Sequence, residues 1–224
     1  MHHPTTGFAV AIDGPGGVGK STAARAVAYK LGMTYIDTGA MYRAVALYNM
    51  RQAANLHDEA AIAASLPRIN INLNKQQILL NGEDITQDIR TQALSEGTSI
   101  IASHAPVRTK LVAVQKELAA SCDTGVVMDG RDIASHVLPW AQVKIYLDAT
   151  VEIRAARRAS DMAAKGQPAD TTKIREEILT RDHRDKTRTH SPLIRTADAI
   201  YIDTSNMTPE EVVACIIGHI TRIK

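Results

Sequence analysis

The stretch Gly14-Pro15-Gly16-Gly17-Val18-Gly19-Lys20-Ser21, followed by Thr22, determines how the rest of this 224-residue chain is interpreted. It matches the P-loop pattern G-x-x-x-x-G-K-[ST]. An apolar run at 8–12 precedes it and an Ala-rich segment with helical spacing follows it. Because the P-loop pattern requires a strand, a glycine loop and a helix in that order, the flanking segments support the match.

The residue types of the loop indicate a nucleoside triphosphate site that uses Mg²⁺. Glycines let the backbone turn its N–H groups inward onto a phosphate, and the positive end of the following helix adds attraction. Lys20 has the length to reach the outer phosphates, and the Ser21 hydroxyl is the expected metal ligand. The predicted nucleotide-binding residues of the loop are Gly14, Pro15, Gly16, Gly17, Val18, Gly19, Lys20, Ser21 and Thr22.

The composition and net charge of the chain argue against several classes of protein. A hydrophobic content of 45% and a charged content of 22% are typical of a globular chain, and a net charge of +2 does not indicate a nucleic-acid partner. No apolar run approaches the roughly 20 residues of a membrane span, and no secretory pattern is present. The two cysteines, Cys122 and Cys215, lack metal-ligand spacing. We therefore expect a cytoplasmic protein with no nucleic-acid or membrane partner.

Strand and helix patterns alternate along most of the chain and predict an α/β fold. Apolar segments with strand character are followed by loops and then by segments with helical spacing, a rhythm typical of a parallel sheet. We predict a doubly wound, five-stranded parallel sheet with the P-loop at the end of its first strand. The predicted strands are 8–13, 34–37, 126–129, 143–148 and 199–203.

A different pattern interrupts this rhythm between residues 66 and 90. Residues 69–73 alternate apolar and polar side chains, and Asn81-Gly82 is a strong hairpin signal. We predict a small antiparallel insertion over 66–90. Helices are expected over 91–104 and 107–120, divided by Pro106. The whole chain, 1–224, is then a single domain with its core at 7–65 and 91–224.

Positive charge is concentrated near the C-terminal end of the chain. Between Arg154 and Arg195 there are eight Arg and three Lys against six acidic residues. A solvated helix face is the ordinary explanation for such a segment. Beside a P-loop, however, several arginines suit a site that must neutralise more than one phosphate. We predict two helices here, which form a helical lid over about 154–188.

Two other classes of P-loop protein lack their diagnostic motifs. A GTPase needs an N/T-K-x-D motif, but residues 74–77 lack the final Asp. A large motor ATPase needs further domains for which the chain has no room. A small-molecule kinase needs a second anion site and mobile arginines. Arginines for both follow successive predicted elements: Arg43, Arg131, Arg181 and Arg188.

The chain closely resembles the cytidylate kinases of bacteria, a group within the nucleoside monophosphate kinases. The resemblance covers roughly residues 8–215. Its most specific parts are a Gly-Arg-Asp segment and an Arg-Asp-x-x-Asp-x-x-Arg segment, which point to this family more strongly than the P-loop does. The matching segments are 12–21, 37–43, 82–85, 89–91, 106–108, 129–132, 143–148 and 181–188.

The resemblance implies roles in phosphate binding and transfer. Arg43, Arg131 and Arg188 would hold the acceptor phosphate, because guanidinium forks match its oxygens, and Thr38 would add a hydroxyl. Arg157 and Arg181 would lie on the lid side, over the donor nucleotide and the transferred phosphoryl group. The residues expected to act directly in catalysis are Lys20, Arg131, Arg181 and Arg188.

The resemblance also implies a site for the acceptor nucleoside. Ser99, Arg108 and Asp132 look like the cytosine-reading set, in which a carboxylate accepts from the exocyclic amine while Arg or Ser donates to the ring. Such a set would favour CMP over UMP, whose O4 cannot donate. Asp185 resembles the residue that binds the sugar hydroxyls.

The expected reaction is phosphoryl transfer from ATP to CMP, with dCMP as a second acceptor, in a monomeric enzyme that uses Mg²⁺. Two alternatives stay open from the sequence. One is an enzyme of the same fold that acts on UMP, AMP or a non-nucleotide alcohol. The other is a regulator that binds ATP without transferring a phosphoryl group.

Overall fold

The structure is a computed structural model that describes residues 7–74, 77–164 and 166–223. His2 and His3 lie outside these residues. The chain divides into two compact units. One, here called the first unit, contains the chain up to Tyr35 and from Ala119 onward; the second unit is Ile36–Leu118. Among the described residues no helix is long and apolar enough to cross a membrane.

The main sheet has five parallel strands, which confirms the predicted doubly wound architecture. Its strand order is β2-β6-β1-β7-β8, so the strand that leads into the P-loop is at the centre. The strands are β1 (Ala9–Asp13), β2 (Thr34–Asp37), β6 (Val126–Gly130), β7 (Val143–Asp148) and β8 (Ile200–Asp203).

The strand register explains why loops distant in sequence meet at the P-loop. All five residues of β1 are buried, as a central strand covered on both faces requires. Asp13, the last residue of β1, pairs with Gly130 at the end of β6 and with Tyr146 on β7. Because parallel strands end at the same edge, the segment after Gly130 emerges beside the P-loop.

Three helices with clear end signals pack in the first unit. Helix α1 (Lys20–Leu31) ends at Gly32, which adopts a left-handed conformation with φ 64° and confirms the predicted C-cap. Helix α8 (Pro209–Thr221) begins with the predicted capping box between Thr208 and Glu211. Helix α6 (Val151–Ala163) is capped by Thr150, whose hydroxyl accepts from the N–H of Ile153.

Helix α7 (Thr171–Thr187) carries Arg181, one of the two arginines predicted on the lid side, and is about one turn longer than the helix predicted over 172–184. Its N-terminus is capped by Asp170, which accepts from the N–H groups of Thr172 and Lys173. Together, α6 and α7 form a small apolar cluster around Ala155, Ile174 and Ile178. The extra turn keeps Asp185 on the helix, next to the C-cap residue Arg188.

The second unit contains the predicted antiparallel insertion. Strand β3 (Ile71–Asn74) pairs antiparallel with β4 (Gln77–Leu80), which pairs antiparallel with β5 (Glu83–Asp84). The turn between β4 and β5 has positive φ at Asn81 (51°) and Gly82 (88°), as a tight hairpin requires. The hairpin predicted from Asn81-Gly82 is confirmed.

Four helices complete the second unit: α2 (Thr38–Arg51), α3 (Glu59–Ser65), α4 (Gln92–Ile101) and α5 (Ala105–Ala120), the last of which runs two residues beyond the unit. The predicted break between α4 and α5 is real but lies at 102–104. Pro106 is inside the first turn of α5, where its missing N–H would have had no helical partner. The unit has its own apolar core, which includes Met41, Ile85 and Leu94.

Candidate active site

The P-loop follows β1 in a conformation that only glycine allows at its first position. Gly14 has φ 147°, and a Cβ there would lie 2.0 Å from the carbonyl oxygen of Leu147. The buried side chain of Lys20, the first residue of α1, turns back over the loop, and its Nζ donates to the carbonyl of Pro15 at 2.6 Å. The loop and its lysine therefore have the arrangement that phosphate binding requires.

Two guanidinium groups lie over the loop. A Cβ on Gly16 would be 3.6 Å from Nη2 of Arg131 and 3.8 Å from Nη1 of Arg181. Burial, followed by the positive charge of Arg131, holds the pKa of Lys20 well below its usual value; Arg181 adds to this effect, and Asp129 and Asp13 oppose it. Three cationic side chains so close together make a strongly electropositive site that matches a polyphosphate.

The Ser21 hydroxyl is oriented by a buried carboxylate. Ser21 Oγ donates to Oδ2 of Asp129 at 2.8 Å, and the Tyr35 hydroxyl donates to Oδ1 of the same residue, also at 2.8 Å. Since the serine proton is engaged, the oxygen lone pairs stay available. Hard oxygen donors of this kind fit Mg²⁺, which typically takes few protein ligands and keeps phosphate and water for the rest.

Asp13 ties the end of β1 to the segment after Arg131. Its carboxylate accepts from the N–H groups of Ile133 and Ala134 at 2.9 and 2.8 Å, at the start of a single π-helical turn, Ile133–Val137. Burial raises the pKa of Asp13 to about 7, although these two hydrogen bonds favour the charged form. The sequence did not predict the π-helical turn, which orients the residues next to Arg131.

Asp185 brings together three of the four predicted arginines of the first unit. Arg131 Nε donates to Asp185 Oδ2 at 2.9 Å, Arg181 Nε lies 3.9 Å from the same oxygen, and Arg188 Nη1 lies 3.8 Å from Oδ1. Burial alone would raise the pKa of Asp185, but the charges of the three arginines outweigh it and hold the pKa below its usual value. We call these four residues the arginine cluster.

Arg188 also connects the arginine cluster to Asp132. Its Nη2 lies 3.9 Å from Oδ1 of Asp132, and both side chains are buried. Its Nε donates to the carbonyl of Ser191 at 2.8 Å, so the side chain is held from both sides. The structure thus places Asp132, assigned by the resemblance to the base, next to an arginine assigned to the acceptor phosphate.

Arg157 is on α6, and its side chain reaches Thr204, the residue that follows β8. Its guanidinium donates to the hydroxyl of Thr204 at 3.1 Å and to the carbonyl of Thr204 at 2.6 Å. The Thr204 hydroxyl lies 3.3 Å from the carbonyl of Val18, to which it donates. Arg157 is therefore anchored near the donor-nucleotide loop, on the element where the lid was predicted.

In the second unit, Thr38 and Arg43 lie on α2. Thr38 is the buried first residue of the helix, and Asp37 caps the helix by accepting from the N–H of Ala40 at 2.9 Å. Arg43 reaches back toward the cap, with Nη1 4.0 Å from Asp37 Oδ1, and its side chain is 31% exposed. Such a long, partly exposed pair leaves the guanidinium available to an anion.

Ser99 and Arg108 are buried on neighbouring helices of the second unit. Arg108 Nη1 donates to the carbonyl of Ala102 at 3.1 Å, and its guanidinium lies over the Tyr42 ring, 5.4 Å from the centroid. The Ser99 hydroxyl has no hydrogen-bond partner among the residues that the structure describes. A buried hydroxyl in that state is a feature expected of a ligand-reading group.

Comparison with known proteins decides the family. The family model for cytidylate kinase matches residues 10–222. The chain belongs to the cytidylate kinase family. A cytidylate kinase from Geobacillus kaustophilus (strain HTA426) is 46% identical over 214 residues, covering 94% of this chain and 95% of the relative. One from Desulforamulus reducens (strain ATCC BAA-1160 / DSM 100696 / MI-1) is 47% identical over 218 residues, covering 96% and 97%.

A solved structure supports the fold of this cytidylate kinase family member. A gluconokinase from Sinorhizobium meliloti 1021 aligns with a TM-score of 0.50 at 14% identity, over 96% of this chain and 92% of that chain. At this identity the likeness shows the fold alone. Family membership and fold were both predicted from the sequence, and both are confirmed.

Sequence reasoning missed two charged residues of this family member. Arg154 on α6 is buried, and its guanidinium donates to the carbonyl of Gly16 in the P-loop and pairs with Asp182 on α7. Only the arginine-rich composition of the segment could have drawn attention to them. Nothing in the local pattern distinguishes a buried arginine from the exposed ones around it.

Proposed function

We propose that this protein transfers the γ-phosphoryl group of ATP to CMP, and to dCMP, giving ADP and CDP or dCDP. The observation that carries the proposal is the pair of guanidinium groups, from Arg131 and Arg181, that lies over Gly16 of the P-loop beside Lys20. Cytidylate kinase is the name of the family model and of the relatives described above. Cationic groups above a P-loop can stabilise the negative charge on a phosphoryl group while it is transferred between two nucleotides.

Catalysis in this proposal is alignment and charge neutralisation. Lys20 binds the outer phosphates of ATP, and Arg131 and Arg181 stabilise the charge on the transferred group. The loop residues Gly14 to Thr22 bind the donor phosphates through their N–H groups, and Arg157 binds on the donor-nucleotide side. The positions of Arg131 and Arg181 over Gly16 support these roles, because charged groups that are positioned before reaction need little reorganisation during it.

Ser21 is the residue that would hold Mg²⁺, and Asp129 accepts a hydrogen bond from the Ser21 hydroxyl. The bound ion would supply charge neutralisation on the phosphates during transfer. The hydrogen bond from Ser21 to Asp129, 2.8 Å long, supports this assignment because it fixes the hydroxyl rotamer. Asp129 is buried and acts on the metal site through Ser21.

The acceptor needs no general base. The second pKa of a phosphate monoester is about 6, so the attacking oxygen is already ionised near neutral pH. Arg43 and Arg188, with Arg131, would hold this phosphate, and Thr38 would donate a hydrogen bond to it. The 4.0 Å distance from Arg43 to Asp37 supports the role, because a weak ion pair gives way to a dianion.

Recognition of cytosine in the proposal depends on Ser99, Arg108 and Asp132. The carboxylate of Asp132 would accept from the exocyclic amine, while Ser99 and Arg108 would donate to the ring. The unpartnered hydroxyl of Ser99 supports this assignment. Asp185, which resembles the sugar-binding residue of the family, keeps that predicted role in addition to its contacts in the arginine cluster.

The test is coupled ADP release with Mg-ATP and, separately, CMP, dCMP, UMP and AMP. Strong preference for CMP and dCMP supports the proposal. Preference for UMP or AMP would retain the kinase and overturn the base-reading set. Binding of ATP without acceptor-dependent ADP release would favour the alternative of a nucleotide-binding regulator.

We further propose that the chain is a single domain with a monophosphate-binding insertion at 66–90 and a lid over 154–188 that closes on the substrates. The protein is proposed to be a cytoplasmic monomer. Gel filtration with light scattering, with and without both nucleotides, would measure the oligomeric state.

A further inference from the structure

One buried guanidinium group, that of Arg154, contacts three separate elements of the first unit. Its Nε donates to the carbonyl of Ala149 before α6, at 3.1 Å. Its Nη1 donates to the carbonyl of Gly16 in the P-loop, also at 3.1 Å. Its Nη2 lies 2.7 Å from Oδ2 of Asp182 on α7. The remaining oxygen of Asp182 has no hydrogen-bond partner among the described residues, so Arg154 is the main contact of that carboxylate.

Arg154 and Arg181 approach Gly16 at different atoms. The carbonyl of Gly16 accepts a hydrogen bond from Arg154, whereas a Cβ on Gly16 would lie 3.8 Å from Nη1 of Arg181. Asp182, the residue next to Arg181 on α7, is the other partner of Arg154. Arg154 thus holds both the loop residue that faces Arg181 and the helix position beside Arg181.

We propose that Arg154 is a positioning residue for phosphoryl transfer, because it fixes Gly16 and α7 at the separation that places Arg181 over the P-loop. The inference rests on the proposed function, in which Arg181 contacts the transferred group. Only arginine can do this, because its planar guanidinium donates in several fixed directions, whereas the lysine ammonium is a point charge on a flexible stem.

The close packing at Gly17 supports the same role. A Cβ on Gly17 would lie 3.2 Å from Cβ of Arg154, so the P-loop backbone packs directly against the start of the arginine side chain. A shift of the reacting groups by about 1 Å can cost about 10²-fold in rate. A contact that sets the separation of loop and helix therefore has a large effect without touching substrate.

The experiment compares Arg154→Lys with Arg158→Lys. Arg158 pairs with Glu177 at 3.5 Å across the same two helices, but the pair is partly exposed. With Mg-ATP and CMP, we expect Arg154→Lys to lower kcat about 10²-fold while KM for CMP changes less than about 3-fold. Arg158→Lys should leave both constants within about 2-fold of the unmodified protein.

A double-mutant cycle with Arg181→Lys separates positioning from a general loss of structure. If Arg154 acts through Arg181, the Arg154→Lys change should cost less than about 3-fold when Arg181 is already lysine. The proposal would be overturned if the fold-changes in kcat caused by Arg154→Lys and Arg181→Lys multiplied in the double variant. An unchanged kcat for Arg154→Lys would also overturn it. If Arg154→Lys fails to fold, Asp182→Asn replaces it in the cycle, with the same expectation.

Hydrogen exchange of the P-loop peptide tests the contact without turnover. We expect faster exchange over residues 14–21 in Arg154→Lys and Asp182→Asn than in Arg158→Lys. Equal protection in all variants would overturn the inference. If the unmodified protein shows no CMP-dependent ADP release, the proposed function fails, and this exchange comparison still decides whether Arg154 holds the loop.

Discussion

The polar groups beside the P-loop in the first unit are paired differently from Arg43 and Ser99, which we propose to bind the acceptor, in the second unit. In the first unit, Lys20 donates to Pro15, and three arginines share the carboxylate of Asp185. In the second unit, Arg43 is 4.0 Å from its carboxylate partner, and the Ser99 hydroxyl has no partner among the described residues. The arginines of the first unit are thus paired with a carboxylate within the protein, whereas Arg43 and Ser99 in the second unit keep hydrogen-bonding capacity for a ligand.

This difference indicates how each region uses binding energy. When substrate binds, its contacts replace a charge pair that already exists within the protein. Such a pair therefore contributes more to the orientation of the charged groups than to the affinity for substrate. A buried polar group without a partner has a cost of about 1–3 kcal/mol, which a ligand that bonds to it recovers. We therefore expect substitutions in the first unit to change kcat and those in the second unit to change KM.

The largest expected effect on turnover is that of Lys20→Met. Loss of one preorganised charge at developing negative charge costs about 3–4 kcal/mol, so kcat should fall about 10²- to 10³-fold in coupled ADP release. Because the pKa of Lys20 is already lowered by burial and by Arg131, we expect no loss of folding stability. Lys110→Met is the control: it removes a lysine that donates to Leu66 and Ile69 and should leave kcat intact. Near-normal turnover by Lys20→Met would contradict the site assignment.

Asp185→Asn should have the next largest effect, on stability. Removing one partner of a buried charge pair typically costs about 3–5 kcal/mol, and here three arginines lose their common counter-ion. Urea unfolding measures the change, and added inorganic phosphate should restore stability more than in the unmodified protein. Asp198→Asn is the control, because Asp198 pairs with Lys144 at an exposed position. Equal stability of the two variants would show that the arginine cluster does not depend on Asp185.

A smaller effect is expected from the ionisation of Asp13. Its folded-state pKa of about 7 lies above the ordinary value of 3.8, so the folded protein binds the proton more tightly than the unfolded chain. The contribution of Asp13 to the free energy of unfolding should therefore fall as the pH rises from 3.8 to about 7, by up to about 1.4 kcal/mol per pH unit. At higher pH this contribution should not change further. Urea unfolding from pH 5 to 8 checks this, and Asp13→Asn should remove the slope. Parallel pH profiles for the two proteins would contradict it.

The smallest effect concerns Ser99. Ser99→Ala removes a buried hydroxyl without a described partner, so the free energy of unfolding should rise by about 1 kcal/mol. KM for CMP should rise about 5- to 10-fold with little change in kcat, because one bond to the base is lost. Ser65→Ala is the matched control, since its buried hydroxyl donates to the carbonyl of Ile62 at 2.7 Å. A loss of stability in Ser99→Ala would show that its hydroxyl is already satisfied.

The elements that could be predicted from sequence are those with a strong local pattern. The P-loop, the hairpin at Asn81-Gly82 and the capping box at Thr208 each depend on a few adjacent residues, and all three are observed. Boundaries were less accurate where two local signals compete. Pro106 predicts a break between two helices, although proline is equally suited to the first turn of α5, where it lies.

The contacts that could not be predicted join residues far apart in the chain. Asp13 bonds Ile133 and Ala134, and Arg154 bonds Gly16, through the register of β1 with its neighbours. Sequence spacing carries no information on these pairs, because they depend on where parallel strands end. The sequence predicts Arg131, Arg181 and Arg188 as phosphate-binding residues, whereas their common contact with Asp185 is seen only in the structure.

Asp185 also has a consequence for selectivity among anions. Its carboxylate contacts three arginines, so an anionic ligand that binds to them must compete with an internal anion. A singly charged ligand offers the arginines little more than Asp185 already does, whereas a phosphate dianion offers additional charge and oxygens in the fork geometry that guanidinium favours. The same competition weakens the hold on a product phosphate, which favours its departure after transfer.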